Sequence, residues 1–574
     1  MAELPREYAM RAMTKIAVWM VACGVACGQV ACGQSTSSKT ASSKTSSSKT
    51  ASSKTASSKA GLAAPDGNDA RILNYIDHGW DTLSRSMTEC ASLVDPKVMS
   101  APVLYLPAGM TVPAAVAEVE AECKVKVMSL PRPIHGLGDV QTAELPAQGL
   151  LYLPHRYVVP GGRFNEMYGW DSYFIVLGLV EDKRVALAKG IVENFFFEIE
   201  NYGAVLNANR TYYLTRSQPP FLSAMIRAVY DHLTTDAERK AWLKEAYPYA
   251  VRDHALWTSG PHQAGTTGLA RYFDLNGGPV PEMADDNDYY SNVIKWLLAH
   301  PEVKTTYLVD DAAASCDAAA SKVCAAAVVN GHRLSKAFYV GDRAMRESGF
   351  DTSFRFGPFS GSTVEFAPVC LNSLLAEYEK DLAFFAAKTG RVAEAARWSR
   401  AASARVKAMD ALLWDEAAGR YADYNYVTAK RSEYDYITSF YPLWAGIASK
   451  AQAAAMEKHL ADFEHDGGVA MSDAESGTQW DLPYGWAPTN WLTAKGLANY
   501  GYKSDADRIS KNFSQTVMQN FLADGTIREK YNVVSGSANA AVSTGYKLNS
   551  VGFGWTNGVY LEMQELMSAH TTAK

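Results

Sequence analysis

Residues 371–390 read LNSLLAEYEKDLAFFAAKTG. In this stretch Leu371, Leu374, Leu375, Tyr378, Leu382 and Phe385 recur at the spacing of three and four that lines up side chains on one face of an α-helix. Gly390 follows the last apolar turn, where a left-handed C-terminal cap belongs. The pattern returns in DHLTTDAERKAWLKEAYPYAVRDHALW (231–257), RVAEAARWSRAASARVKAMDALLW (391–414), KAQAAAMEKHLADF (450–463) and DADRISKNFSQTVMQNFLAD (505–524). Helices in such succession, with Trp, Tyr, Asp and Gly concentrated in the connections, predict an all-α fold. Its helix hairpins would form a ring, and their loops would meet at one end. Strand signals are sparse and local, as in NVVSGSANAAVSTGYKL (532–548).

At 574 residues, with 48% hydrophobic and 11% aromatic content, the chain can fill one large core. The formal charge is −6. The first 61 residues carry eight Lys and Arg against two Glu, so the remainder stands at −12. An acidic body lacks the basic footprint that nucleic acid requires. The eleven histidines show no ligand spacing, and no HExxH, paired CxxC or phosphate-cradling glycine loop occurs, so neither a metal site nor a cofactor is expected.

The N-terminus reads as processing material. Arg6, Arg11 and Lys15 precede the apolar run IAVWMVACGVACG, the order of a secretory leader, and the run is too short to span a membrane. Residues 1–33 are therefore expected to be a signal peptide or lipoprotein-type leader, with Cys23, Cys27 and Cys32 each following Val-Ala. The protein is expected to be exported, periplasmic or extracellular, with a lipid anchor left open and no integral membrane domain. Residues 34–61 repeat every five positions, with Lys39, Lys44, Lys49, Lys54 and Lys59 in register, and are expected to form a disordered tether. Residues 62–574 would form the globular body. Cys316 and Cys324 flank an Ala-rich segment and are a candidate disulfide pair.

Four loops share one chemical character: PGGRFNEMYGWDSYF (160–174), NANRTYYLTRSQPPF (207–221), RESGFDTSFRFG (346–357) and QWDLPYGWAPTNW (479–491). The first is neither helix-periodic nor strand-alternating up to Asp171, where an apolar helix begins. Charged planar groups beside aromatic rings suit a sugar, whose hydroxyls lie at its rim and whose C–H groups lie on its faces. Structural alternatives stand beside this reading: Arg163 could pair with Glu166, Arg216 could pair with Asp171, and tryptophans are often core.

PGGRFNEMYGWD and QWDLPYGWAP closely resemble the two signature motifs of the inverting trehalases. RSQPPF, ESGFD, REKY and GFGWTNGV occur in the same order as in that family, and the likeness spans about residues 70–568. The resemblance implies an (α/α)6 toroid that hydrolyses the disaccharide α,α-trehalose to two glucoses with inversion and no cofactor. By position it implies Asp351 as general acid and Glu529 as general base. An inverting pair of this kind is set about 6.5–9.5 Å apart, so that water fits between base and sugar. It also implies sugar contacts from Arg163, Trp170, Asp171, Asn207, Arg216, Ser217, Gln218, Glu282 and the main chain at Gly349. Asp351 must then hold its proton near neutrality, through burial or nearby negative charge.

Two departures from the family pattern stand out. Val280 replaces a substrate-binding arginine, and SANAAVSTGYKL (537–548) replaces a glycine-rich lid that carries an acidic residue. Both predict a looser second subsite. The alternatives are an inverting hydrolase of another α-glucoside, or a catalytically weak sugar-binding protein on a tether.

Overall fold

The computed structural model describes residues 67–94, 101–283, 288–303, 305–310, 327–540, 542 and 548–572. The expected leader at 1–33, the tether at 34–61 and the Cys316–Cys324 pair lie outside these residues, as does half of the altered lid, residues 541 and 543–547.

Six helices close a ring. In chain order they are α2 (Asp171–Glu181), α4 (Leu222–His232), α7 (Val369–Lys388), α9 (Tyr441–Trp444), α11 (Ala487–Asn499) and α13 (Gly554–Thr572). Each packs on the next, and α13 packs back on α2. Outer helices stand behind them: α1 (Gly67–Thr82) behind α13, α3 (Val185–Asn201) behind α2, α5 (Asp236–Trp257) behind α4, α8 (Val392–Leu412) behind α7, and α12 (Lys503–Asp524) behind α11. α10 (Lys450–His459) follows α9 in the chain, and α6 (Lys336–Glu347) lies between α5 and α7. The architecture is an (α/α)6 toroid.

Composition separates the two layers. α2 is buried at nine of its eleven positions, because DSYFIVLGLVE is apolar all round and suits an inner helix. α8 buries only Trp398, Ala402, Arg405 and Met409, a single stripe facing inward. Two glycines allow the ring to close. A Cβ on Gly178 of α2 would lie 2.5 Å from the Gly558 Cα of α13, and one on Gly558 would lie 2.0 Å from the Phe174 carbonyl. The helix expected over 371–390 is α7, and Gly390 beyond its end adopts φ +83°.

A small β-unit was not legible in the sequence. Parallel strands β1 (Val103–Leu106), β2 (Lys126–Ser129) and β3 (Leu150–Leu151) lie in the order β2–β1–β3. Cys90 and Cys123 form a disulfide, while Cys370 is buried and free. Near the ring, β4 (Tyr484–Trp486) pairs antiparallel with β5 (Lys530–Asn532), bringing Trp486 opposite Lys530.

The helical wall holds an uncompensated acid. Asp253 on α5 accepts the Tyr378 hydroxyl at 3.0 Å through Oδ2, while Oδ1 is buried without a hydrogen-bond partner. Burial pushes its carboxyl up to about 7. Because the unfolded chain loses this proton near pH 4, the folded state is penalised progressively as pH rises from about 4 to 7. Asp253→Asn should therefore gain on the wild type by about 1–3 kcal/mol more at pH 8 than at pH 5, read by urea denaturation at both values. An equal difference at the two pH values would contradict this.

Candidate active site

The loops leading into the N-termini of the inner helices converge on a cavity of 360 Å³. Trp170 immediately precedes α2, and Asp171 opens it. Gln218 lies just before α4, residues 349–351 lie on the path from α6 to α7, and Trp480 and Trp486 precede α11. The wall is aromatic. Trp480 and Trp486 stack at 3.7 Å, and Trp170 sits 5.9 Å from Trp480 and 5.6 Å from Trp555. Gly349, at φ +77°, is needed here because a Cβ would come within 3.0 Å of the Trp170 indole.

Five carboxyl groups line the cavity: Glu166, Asp171, Glu282, Asp351 and Glu529. Burial pushes the Asp351 carboxyl up to about 7, and the guanidiniums of Arg346 and Arg216 only partly oppose it. Arg346 Nη1 lies 3.4 Å from Asp351 Oδ2. Asp171 is driven well above the carboxylate range by burial, with the charges of Glu529 and Asp351 adding to the effect. Glu529 accepts the Ser550 N–H at 3.2 Å and has the Lys530 ammonium at 3.8 Å.

One side chain braces the two halves of this arrangement. Lys530 Nζ donates to Gln479 Oε1 at 2.8 Å, and Gln479 Nε2 donates to the Asp351 carbonyl at 2.5 Å. The residue beside Glu529 is thus tied to the main chain of Asp351. Asp481 fastens the same loops, accepting the Phe354 N–H at 2.8 Å and the Ser476 hydroxyl at 2.6 Å.

Arg163, Trp170, Asp171, Asn207, Arg216, Gln218, Glu282 and Gly349 all line the cavity with Asp351 and Glu529. Ser217 does not. Its hydroxyl donates to the Val205 carbonyl at 2.6 Å and its N–H to Glu347 at 3.3 Å, so it shapes the loop from behind. The two structural ion pairs entertained from sequence take other partners. Glu166 pairs with Arg210 at 2.5 Å, and Arg216 pairs with Glu282 and lies 3.7 Å from Asp274. Glu282 is opposed by burial, but Arg216 and Arg346 outweigh it and hold its carboxyl below the ordinary range.

Several lining residues escaped the sequence reading: Arg346, Arg210, Gln479, Trp480 and Trp555. Arg346 also changes the meaning of Val280. A guanidinium enters the cavity from a position other than 280. Val280 is buried among Met283, Tyr289 and Tyr290, away from the cavity lining, whereas Arg346 from α6 enters the lining. The signal was present in RESGFD, five residues ahead of Asp351.

Among the described residues one group has metal-ligand geometry: Asp435, His459 and Asp462, whose ligand atoms lie within 4.8 Å of one another. Both imidazole nitrogens face carboxylates, Nε2 at 2.8 Å from Asp435 and Nδ1 at 2.9 Å from Asp462. Nε2 nevertheless makes no hydrogen bond, and none of the three residues lines the cavity. No helix among the described residues is long and apolar enough to cross a membrane.

Comparison with known proteins gives the following. The model of the trehalase family matches residues 108–568. A probable trehalase of Eremothecium gossypii is 35% identical over 564 residues, covering 87% of this chain and 73% of that protein. A cytosolic neutral trehalase of Neurospora crassa is 33% identical over 554 residues, covering 88% of this chain and 69% of that protein. The solved structure of neutral trehalase Nth1 from Saccharomyces cerevisiae superposes with a TM-score of 0.72 at 30% identity, covering 88% of this chain and 95% of that one. These relatives overturn the expected export to the periplasm or exterior: those of Neurospora crassa and Pyricularia oryzae, aligned with 88% and 86% of this chain, are named cytosolic.

Val280→Arg would force a guanidinium into the apolar cluster beside Tyr289 and Tyr290. The variant should lose about 3 kcal/mol of stability in chemical denaturation and gain nothing in kcat/KM on trehalose. Improved kcat/KM at unchanged stability would show instead that position 280 reaches the cavity.

Proposed function

This chain belongs to the trehalase family of glycoside hydrolases and hydrolyses trehalose; we propose that it does so with inversion, Asp351 acting as general acid and Glu529 as general base. The observation that carries this division of labour is the contrast between the two carboxyls. Asp351 is held protonated up to about pH 7 by burial. Glu529 faces the Lys530 ammonium and the Ser550 N–H, partners for a negative charge. A proton donor and a carboxylate in one cavity are what an inverting displacement requires.

The Asp351 O–H gives its proton to the glycosidic oxygen as the bond from that oxygen to the anomeric carbon breaks. A water oxygen bonds to the anomeric carbon from the opposite face, and Glu529 takes the proton that water sheds. Two glucoses leave, Asp351 is a carboxylate and Glu529 is protonated, and exchange with solvent restores both.

Recognition is assigned to the polar lining. Arg216 and Arg163 offer forked donors to neighbouring hydroxyls, and Asn207, Gln218 and Glu282 supply further partners. Burial shifts the Asp171 carboxyl toward its neutral form, in which it can donate as well as accept, which suits a hydroxyl. Hydroxyl partners buried in this way discriminate strongly, since a sugar lacking the hydroxyl leaves them unpaired. Trp170 presents an apolar face to the pyranose. The catalytic body comprises residues 62–574.

Three outcomes are expected. Asp351→Asn and Glu529→Gln should each lower kcat by a factor of about 10²–10⁴ or more with circular dichroism unchanged, and wild-type turnover by either would remove its role. Activity should fall as pH rises through about 7, because the acid must be protonated and its carboxyl titrates there; a profile flat from pH 6 to 9 would contradict this. Proton NMR before mutarotation should show α- and β-glucose released together from trehalose, whereas α-glucose alone would mean retention.

A further inference from the structure

We propose that Asp342 is a positioning residue of the active site, holding Arg346 against Asp351 and, through Tyr290, tying that guanidinium to the segment that carries Glu282.

Asp342 and Arg346 lie one turn apart on α6, and both are buried. The Asp342 carboxylate collects four hydrogen bonds. It accepts the Tyr289 hydroxyl at 3.1 Å, the Tyr290 hydroxyl at 2.9 Å, and Arg346 Nε and Nη2 at 3.3 Å each. A carboxylate so placed fixes the guanidinium in two directions and leaves Nη1 pointing to Asp351 Oδ2 at 3.4 Å. The Tyr289 ring lies 5.2 Å beneath the guanidinium and closes the remaining side. Tyr290 extends the network, its hydroxyl accepting the Val280 N–H at 3.0 Å, two residues before Glu282. Glu282 in turn pairs with Arg216.

This arrangement separates two functions of one arginine. Arg346 gives the cavity a guanidinium, but an uncompensated positive charge beside Asp351 would strip its proton. Asp342 grips the guanidinium through Nε and Nη2, so the donor is kept while its approach to Asp351 is held to the single Nη1 contact. The other charged groups around Asp351 are Arg216, Glu282, Lys530, Asp171 and Glu529, and none of them contacts Asp342 among the hydrogen bonds and ion pairs described. A merely structural Asp342 would support folding without setting the protonation of Asp351.

The inference rests on Asp351 as the general acid, and the test keeps the two claims apart. The pH dependence of kcat/KM on trehalose is measured for full-length wild type, Asp342→Asn, Arg346→Met, the double variant and Asp351→Asn. Asp342→Asn should move the alkaline limb down by roughly half a pH unit to one unit, and Arg346→Met should move it up. In the Arg346→Met background, Asp342→Asn should move it no further, because its effect runs through the arginine. An unmoved limb in folded Asp342→Asn, or an equal shift in both backgrounds, overturns the proposal. If Asp342→Asn alone does not fold, the double variant and Arg346→Met still decide it: coincident limbs support it and separated limbs contradict it. Wild-type activity in Asp351→Asn would instead defeat the general-acid assignment on which the proposal stands.

Discussion

Like charges in a cavity shielded from water cannot all be ionised, and the site is organised around that constraint. Asp171, Asp351 and Glu529 share one 360 Å³ space. Burial drives the first two toward their neutral forms, and each remaining charge raises the cost of the next. The cationic partners are distributed unequally. Lys530 stands beside Glu529, while Arg346 and Arg216 lie on the Asp351 side with Asp342, Glu282 and Asp274 to absorb much of their charge. One carboxyl is thereby left to donate a proton and another to accept one.

The toroid exists to hold that balance in place. Most cavity loops enter an inner helix whose packing is set by its neighbours in the ring, so these loops are fixed at their C-terminal ends. Close approaches at Gly178 and Gly558 let the ring close, and Gly349 lets the main chain reach Trp170. The cross-links between loops are polar and buried. Gln479 joins the Lys530 side to Asp351, Asp481 joins the 476–481 loop to Phe354, and Arg355 is held by Asp423 at 2.7 and 2.8 Å. Removing one partner of such a link strands the other in a dry interior, which costs more than the hydrogen bond alone.

What the sequence revealed follows from the range of the signal. Helix α7 was legible because its periodicity is local and sustained over 20 residues. The parallel unit at 103–151 was not, because its strands are two to four residues long and the apolar run VLYL has no alternation to distinguish it from a helix. In the site, motif resemblance singled out residues that line the cavity, but composition could not say which charges pair. Glu166 chose Arg210 over Arg163 because that choice is made by the fold at a separation of 44 residues. Arg346 belongs to the RESGFDTSFRFG loop, but only the orientation of α6 turns it toward Asp351. The disulfide between Cys90 and Cys123 likewise depends on two short helices, Cys90–Leu93 and Ala114–Cys123, meeting, which no spacing rule dictates.

The central claim is that burial keeps the Asp351 carboxyl protonated at the pH where the enzyme works, and it can be read without catalysis. Carbon NMR of side-chain carboxyls in aspartate-labelled protein, with Asp351→Asn as the assigning difference, reports that titration directly. The account predicts that the resonance lost in the variant titrates near 7 in the wild type. A resonance that titrates in the ordinary aspartate range, around 4, would contradict it and leave the site without its proton donor.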